Sequence, residues 1–190
     1  MKTLNQYIQE KLIINKNYRG ANILTPKSFD ELRKIIEQRD EEQGPGTEQD
    51  PIDFNDIDVS NIDSFYDHIG IFEYMRFKYI DISDWDVSNI KSMCHMFSEC
   101  EELESIGDIS SWDVSKVTNM CSMFWRCREL KSVVDISKWD VSKVTNMGYM
   151  FYGFKSFNQD ISNWDVSSLR HHQHMFYGCP IKDEYKPKFK

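Results

Sequence analysis

The side chains able to do chemistry in this sequence recur at fixed intervals. Cys94 and Cys121 form one column of equivalent positions, and Cys100, Cys127 and Cys179 form another. A thiolate zinc site usually shows a close cysteine pair with about two to four residues between its members. The spacing here is Cys-x5-Cys, from Cys94 to Cys100 and from Cys121 to Cys127. Stacking would set cysteines of one column roughly 5 Å apart, near enough for disulfides. With no export signal in the sequence, they read instead as reduced thiols serving as small core hydrophobes.

Carboxylates recur in the same way, at Asp81, Asp108, Asp135 and Asp160 and at Asp86, Asp113, Asp140 and Asp165. A calcium ladder would need the glycine-rich nonapeptide of β-rolls, which is absent. A glycosidase pair is not indicated either, because repetition in every unit already accounts for the spacing. Stacked carboxylates repel unless each has a local donor, so at least one column reads as Asx-turn or cap residues. His171, His172 and His174 break the pattern, and no further ligand can be placed beside them, so they read as a polar edge on the last repeat. No catalytic residue, metal or cofactor is assigned.

The elements that carry these columns are repeats. DISSWDVSKVTNMCSMF from Asp108 and DISKWDVSKVTNMGYMF from Asp135 are nearly identical, and further copies begin at Asp81 and Asp160, giving steps of 27, 27 and 25 residues. An earlier piece, Ile57 to Phe65, lacks the tryptophan and reads as a worn first copy. In each unit Asp-Ile-Ser-x-Trp suits one brief parallel strand. Apolar residues at helical spacing after the following serine, such as Val117, Met120, Phe124 and Cys127, suit a short helix or helical turn. Burial of Trp85, Trp112, Trp139 and Trp164 against the adjacent unit is favoured over an exposed stacking platform.

One strand and one helical piece per 25–27 residues predicts an α/β fold, a short leucine-rich-repeat-like solenoid. Its parts are a helical N-terminal cap over 1–42, an acidic linker over 43–53, the repeats over 54–179 and a C-terminal cap or tail over 180–190. The cap is expected as two amphipathic helices, one after Thr3 and one after a capping box of Ser28 and Glu31. Repeat 54–80 is the worn one; the clear repeats start at 81, 108, 135 and 160.

The strings FNQDISNWDVSS, from Phe157 to Ser168, and VTNMxxMF, in two copies, resemble the BspA-type leucine-rich-repeat family. That resemblance covers about Asp81 to Cys179 and, in worn form, begins at Phe54. It implies a protein-binding module without catalytic residues, since many relatives are bacterial surface proteins linked to adhesion. The leader MKTLNQYIQEKLIINKNY looks like that of short members encoded by tailed bacteriophages, which implies a phage protein acting on a host or virion protein.

A formal net charge of −8 argues against general nucleic-acid binding. The stretch from Glu37 to Asp67 holds 11 acidic residues against the single basic Arg39, and it reads as solvated loop rather than as mimicry of a nucleic-acid backbone. No membrane-spanning run and no signal peptide are seen, so the expected location is cytoplasmic. Binding residues are sought in columns that vary while the core columns stay fixed. Trp125, Tyr149, Tyr152 and Tyr177, edged by Arg126, Arg128 and Lys155, form such a strip, of the residue types that anchor protein interfaces. Packing between adjacent repeats is the competing account of the same rings. The expected function is non-enzymatic binding of another protein. An assembly or structural role is the alternative, a hydrolase is remote, and self-association is left open.

Overall fold

The computed structural model describes residues 14–18, 21–131 and 135–189. It is a mixed α/β structure. The chain enters through β1 (Ile14–Tyr18), paired antiparallel with β2 (Ala21–Leu24), and continues into α1 (Phe29–Gln43). The expected second helix is therefore present. Ser28 Oγ accepts from Glu31 N at 3.2 Å, Glu31 Oε2 accepts from Lys27 N at 2.8 Å, and Gly44, at φ 73°, ends the helix. The first expected helix, around Leu4 to Leu12, lies outside the described residues.

A wholly helical 1–42 does not hold, because the β1–β2 hairpin falls within it. Leu24 N donates to Asp56 O and Leu24 O accepts from Asp58 N, both at 2.8 Å. A helix, whose backbone bonds are internal, would leave this pairing with the first repeat unmade.

The inner face of α1 lies over the open end of the repeats. Leu32, Ile35 and Ile36 are fully buried in one continuous core with Phe54 and Phe72. Arg33 donates to the carbonyls of Gly70 (2.6 Å), Ile71 (2.9 Å) and Glu73 (3.2 Å). Arg39 sits 5.0 Å over the Phe54 ring, bonding Asp53 O at 2.6 Å and Asp56 Oδ2 at 2.7 Å. The helix thus supplies donors to carbonyls of the first unit, which has no unit before it to supply them; Gly70 O also accepts from Glu73 N at 3.1 Å. The acidic stretch after α1 exposes most of its side chains, yet its backbone is tied down. Pro45 O accepts from Lys78 N and Tyr79 N, and β3 (Ile52–Asp53) pairs in parallel with β4 (Ile80–Asp81).

Each unit is a sequence of local turns. Asp Oδ1 accepts from the backbone N–H two residues on at Asp81, Asp86, Asp108, Asp113, Asp135, Asp140, Asp160 and Asp165. Both aspartate columns are therefore Asx turns, and the same bond at Asp53 and Asp58 marks the first copy. Ile57 stands where later units carry tryptophan: Ile57 N bonds Phe54 O as Trp85 N bonds Ile82 O.

The expected strand and helix positions are corrected by the hydrogen bonds. The expected strand pairs in parallel at Ile80–Asp81 and bridges from Tyr79 to Ser105, but among the described residues the later Asp-Ile-Ser-x-Trp segments close local turns, such as Trp112 N to Ile109 O, and make no ladder. The parallel bridges run instead through Ser64, Ser92, Asn119, Asn146 and His171. The segment expected to be helical follows these bridges, and its N–H groups alternate in direction. Met93, His95, Phe97 and Glu99 donate to the next unit, at Asn119, Cys121, Met123 and Trp125, while Met96, Ser98 and Cys100 close turns on residues three back. An α-helix would consume every one of these donors internally, so stacking selects the alternating pattern. Left-handed residues four apart sustain it: His95 and Glu99, Ser122 and Arg126, Tyr149 and Gly153, His174 and Gly178. Turns of this pitch bury apolar side chains at nearly the spacing of a helix, which explains the misleading periodicity.

The core is a set of columns. Phe72, Phe97, Phe124, Phe151 and Phe176 stack with centroids 5.3, 5.5, 5.9 and 5.8 Å apart and rings within 12° of parallel. The four tryptophans are 4–5 % exposed, as expected. Trp85, Trp139 and Trp164 donate Nε1 to the carbonyls of Phe54, Ile109 and Ile136, whereas Trp112 Nε1 is buried without a partner. At the far end a 3-10 turn (Asp183–Tyr185) bonds back to Ile161, Ile181 is buried, and Phe189 stacks on His172 at 4.4 Å.

Candidate functional site

The varying columns flank the phenylalanine column on its outer side. Trp125, Tyr152 and Tyr177 are equivalent positions of successive units, because each of their N–H groups closes a turn on the left-handed residue three before it: Ser122, Tyr149 and His174. The rings make a contiguous ladder. Trp125 lies 6.4 Å from Tyr152, Tyr152 stacks on Tyr177 at 5.0 Å and 15°, and Tyr149 lies 5.9 Å from Tyr152 and 5.2 Å from His174. Trp125, Tyr149 and Tyr152 are half-buried by these contacts, and Tyr177 is 61 % exposed. The rings therefore pack between repeats and still present a face to solvent.

The three cations sit beside this ladder in different states. The Arg126 guanidinium lies 4.6 Å over the Trp125 ring and bonds Glu99 Oε1 at 2.9 Å. Arg128 is 3.5 Å from Glu101 Oε1, and Lys155 is exposed. Arg126, Arg128, Tyr152, Gly153, Lys155, Tyr177 and Gly178 line one open groove of about 310 Å³. Gly153 and Gly178 explain it. They occupy the column filled by Glu99 and Arg126 in earlier units, and with φ of 72° and 69° they keep the backbone course while removing the side chain. The two glycines were not singled out from sequence, though the column carrying Glu99, Arg126, Gly153 and Gly178 was the signal that could have found them; His174, read from sequence as part of a polar edge, packs against Tyr149 instead.

Residues 50–186 match the family described as "Mycoplasma protein of unknown function, DUF285". The chain belongs to that family. No curated protein and no solved structure matches it. The matched span of this DUF285 member begins just before β3 and ends after the 3-10 turn, so it takes in every repeat, the groove and the closing segment. It leaves out α1, whose two arginines cover the first repeat.

Among the described residues, one group of side chains could hold a metal ion: Cys94, His95 and Cys121. Cys94 and Cys121, read from sequence as core thiols, are placed differently from the other cysteines. All five cysteines are free thiols. Cys100, Cys127 and Cys179 donate to the carbonyls of Phe72, Phe97 and Phe157, and burial raises all three, Cys100 to about 12. Cys94 and Cys121 instead face each other from adjacent units, their sulfurs within 4.8 Å, and Cys121 Sγ lies 3.6 Å from Ser122 Oγ. The neighbouring Cys94 thiol lowers Cys121 against the opposing effect of burial, while Cys121 and burial raise Cys94.

No helix of the described residues is long and apolar enough to cross a membrane.

Proposed function

We propose that this DUF285 member is a non-enzymatic protein-binding module. In this reading it is a short, capped, leucine-rich-repeat-like solenoid whose aromatic ladder anchors another protein. The observation that carries it is the contrast within each unit: the phenylalanine and tryptophan columns are closed in the core, while Trp125, Tyr152 and Tyr177 form a stacked face beside an open groove. Aromatic and arginine side chains that are already half-ordered lose little entropy on binding and supply most of the energy of protein interfaces. The likeness of the repeats to BspA-type proteins supports a protein partner. The phage-like leader supports a host or virion protein as that partner, met in the host cytoplasm.

The test is an affinity capture from host lysate with the tagged chain, compared with the Trp125→Ser/Tyr152→Ser variant and read by mass spectrometry. One protein retained by the wild type and lost by the folded variant is the expected result. Recovery of the chain's own copies alone would move the reading to an assembly role, and equal recovery by both proteins would remove the ladder from the interface.

A further inference from the structure

Away from the ladder, Cys94, His95 and Cys121 bring two sulfurs and a ring nitrogen within 4.8 Å of one another. Tetrahedral zinc, at about 2.3 Å from sulfur and about 2.0–2.1 Å from nitrogen, holds such atoms roughly 3.5–3.8 Å apart. Closing the three atoms on an ion therefore asks for side-chain adjustment only. We propose that Cys94, Cys121 and His95 bind a thiophilic divalent ion of the zinc class, leaving a fourth position for water or a donor from outside the chain.

The backbone holds this set in place from two adjacent units. His95 N donates to Cys121 O at 2.9 Å, and Cys121 N donates to Asn119 Oδ1 at 3.0 Å. Left-handed turns at His95 (φ 55°) and Ser122 (φ 54°) fix the chain beside both thiols. The imidazole is held as well: Tyr66 stacks on it at 5.8 Å, and Glu73 Oε1 lies 3.3 Å from Nδ1. Glu73 is 6 % exposed and anchored by Gly70 N, which donates to Oε2 at 2.7 Å. His95 Nδ1 is buried and, at this separation, not aligned for a hydrogen bond. A buried carboxylate next to a ring nitrogen is the arrangement that orients histidine ligands and raises their basicity.

The choice of ion follows from the donors. Two thiolates and an imidazole suit zinc-like ions and disfavour magnesium and calcium, which want oxygen. Among the described residues, Cys94 and Cys121 make no bond to a backbone carbonyl of the kind that engages Cys100, Cys127 and Cys179, so their sulfurs are not already committed to one. Cys121 and His95 are also partly exposed, which gives an ion a way in.

The full reduced chain should take up one cobalt(II) per molecule with sulfur-to-metal charge-transfer absorption and tetrahedral ligand-field bands, and zinc should displace it. Native mass spectrometry should find one zinc retained. Cys121→Ser and, separately, Cys94→Ser should weaken zinc binding by more than about 100-fold, and Glu73→Gln by about 10-fold, whereas Cys179→Ser should leave it unchanged. Circular dichroism melting checks that each variant folds, and the wild-type measurement stands whether or not they do. No stoichiometric retention by the wild type overturns the proposal, as does equal retention by Cys121→Ser. A chain that retains no zinc but forms a Cys94–Cys121 disulfide on mild oxidation also overturns it, making the pair a redox pair.

Discussion

Phe124 and Trp125 are neighbours in the chain and opposites in the structure. Phe124 is fully buried in a column that reads Phe at every unit, its ring 5.5 Å from Phe97 and 5.9 Å from Phe151. Trp125 belongs to a column that reads Glu73, Ser98, Trp125, Tyr152 and Tyr177, passing from buried at one end to 61 % exposed at the other. Each column keeps its own backbone bond from unit to unit, Phe124 N to Met150 O in the next unit and Trp125 N to Ser122 O in a local turn, so the backbone of the stack does not require the outer side chain to repeat. Only the inner one must keep a single shape, because each ring there is the floor of the next. Fixed columns therefore report packing, and varying columns are where a particular member can carry its own recognition chemistry.

Breaking the inner column should have the largest effect. Phe124→Ala removes a ring shared by two interfaces and is expected to cost about 3–5 kcal/mol in urea unfolding. If the loss is under 1 kcal/mol, the column is not the framework of the stack. Arg33→Met should come next. It keeps the stem against the core but deprives the carbonyls of Ile71 and Glu73 of the Arg33 donor and leaves Gly70 O only Glu73 N, at about 2–3 kcal/mol. Amide exchange should then rise first in the unit of residues 54–80, leaving the later units protected.

The inner column was legible in the sequence and the outer one only by position. Equal spacing at Phe97, Phe124 and Phe151 gives stacking directly, and Asp followed two residues later by Ser gives the turns. Which half of a unit makes the parallel bridges was not legible, since Met93, Met96, Phe97 and Cys100 fit helical periodicity as well as the alternating turns actually formed. The β1–β2 hairpin was hidden because its partner, Asp56 to Asp58, lies over 30 residues downstream of β2. For Cys94, His95 and Cys121, the 27-residue step placed the thiols in one column, but the adjacency of His95 and the supporting Glu73 come from the turn geometry.

The turns themselves should fail in acid. Hydrogen bonds from the serine hydroxyl and then the serine N–H hold Asp108, Asp113, Asp135, Asp140 and Asp160 below the ordinary carboxylate value of 3.8. A folded-state value below the unfolded one stabilises the fold above the unfolded value, and the stabilisation is lost as pH falls through the folded one. Unfolding midpoints should thus be level from neutral pH down to about 4 and drop below it. Asp140→Asn, which keeps an acceptor oxygen but cannot be protonated, should shallow that drop while changing stability at pH 7 by about 1 kcal/mol or less.

The smallest effect on stability should fall on the outer column, and that is where the comparison is sharpest. Tyr177 is mostly exposed, and its chief ring contact is Tyr152 at 5.0 Å. Tyr177→Ser should shift the unfolding free energy by about 0.5–1 kcal/mol, several times less than Phe124→Ala, since little apolar surface leaves the core. If Tyr177 serves recognition, the same substitution should cost the partner complex more than it costs the fold, because the ring walls the groove shared with Arg128 and Lys155. A calorimetric titration with the captured partner, set beside the melting curve of the same variant, separates the two roles: a large loss of affinity with an intact melt assigns the ring to binding, and a matched loss in both returns it to packing between repeats.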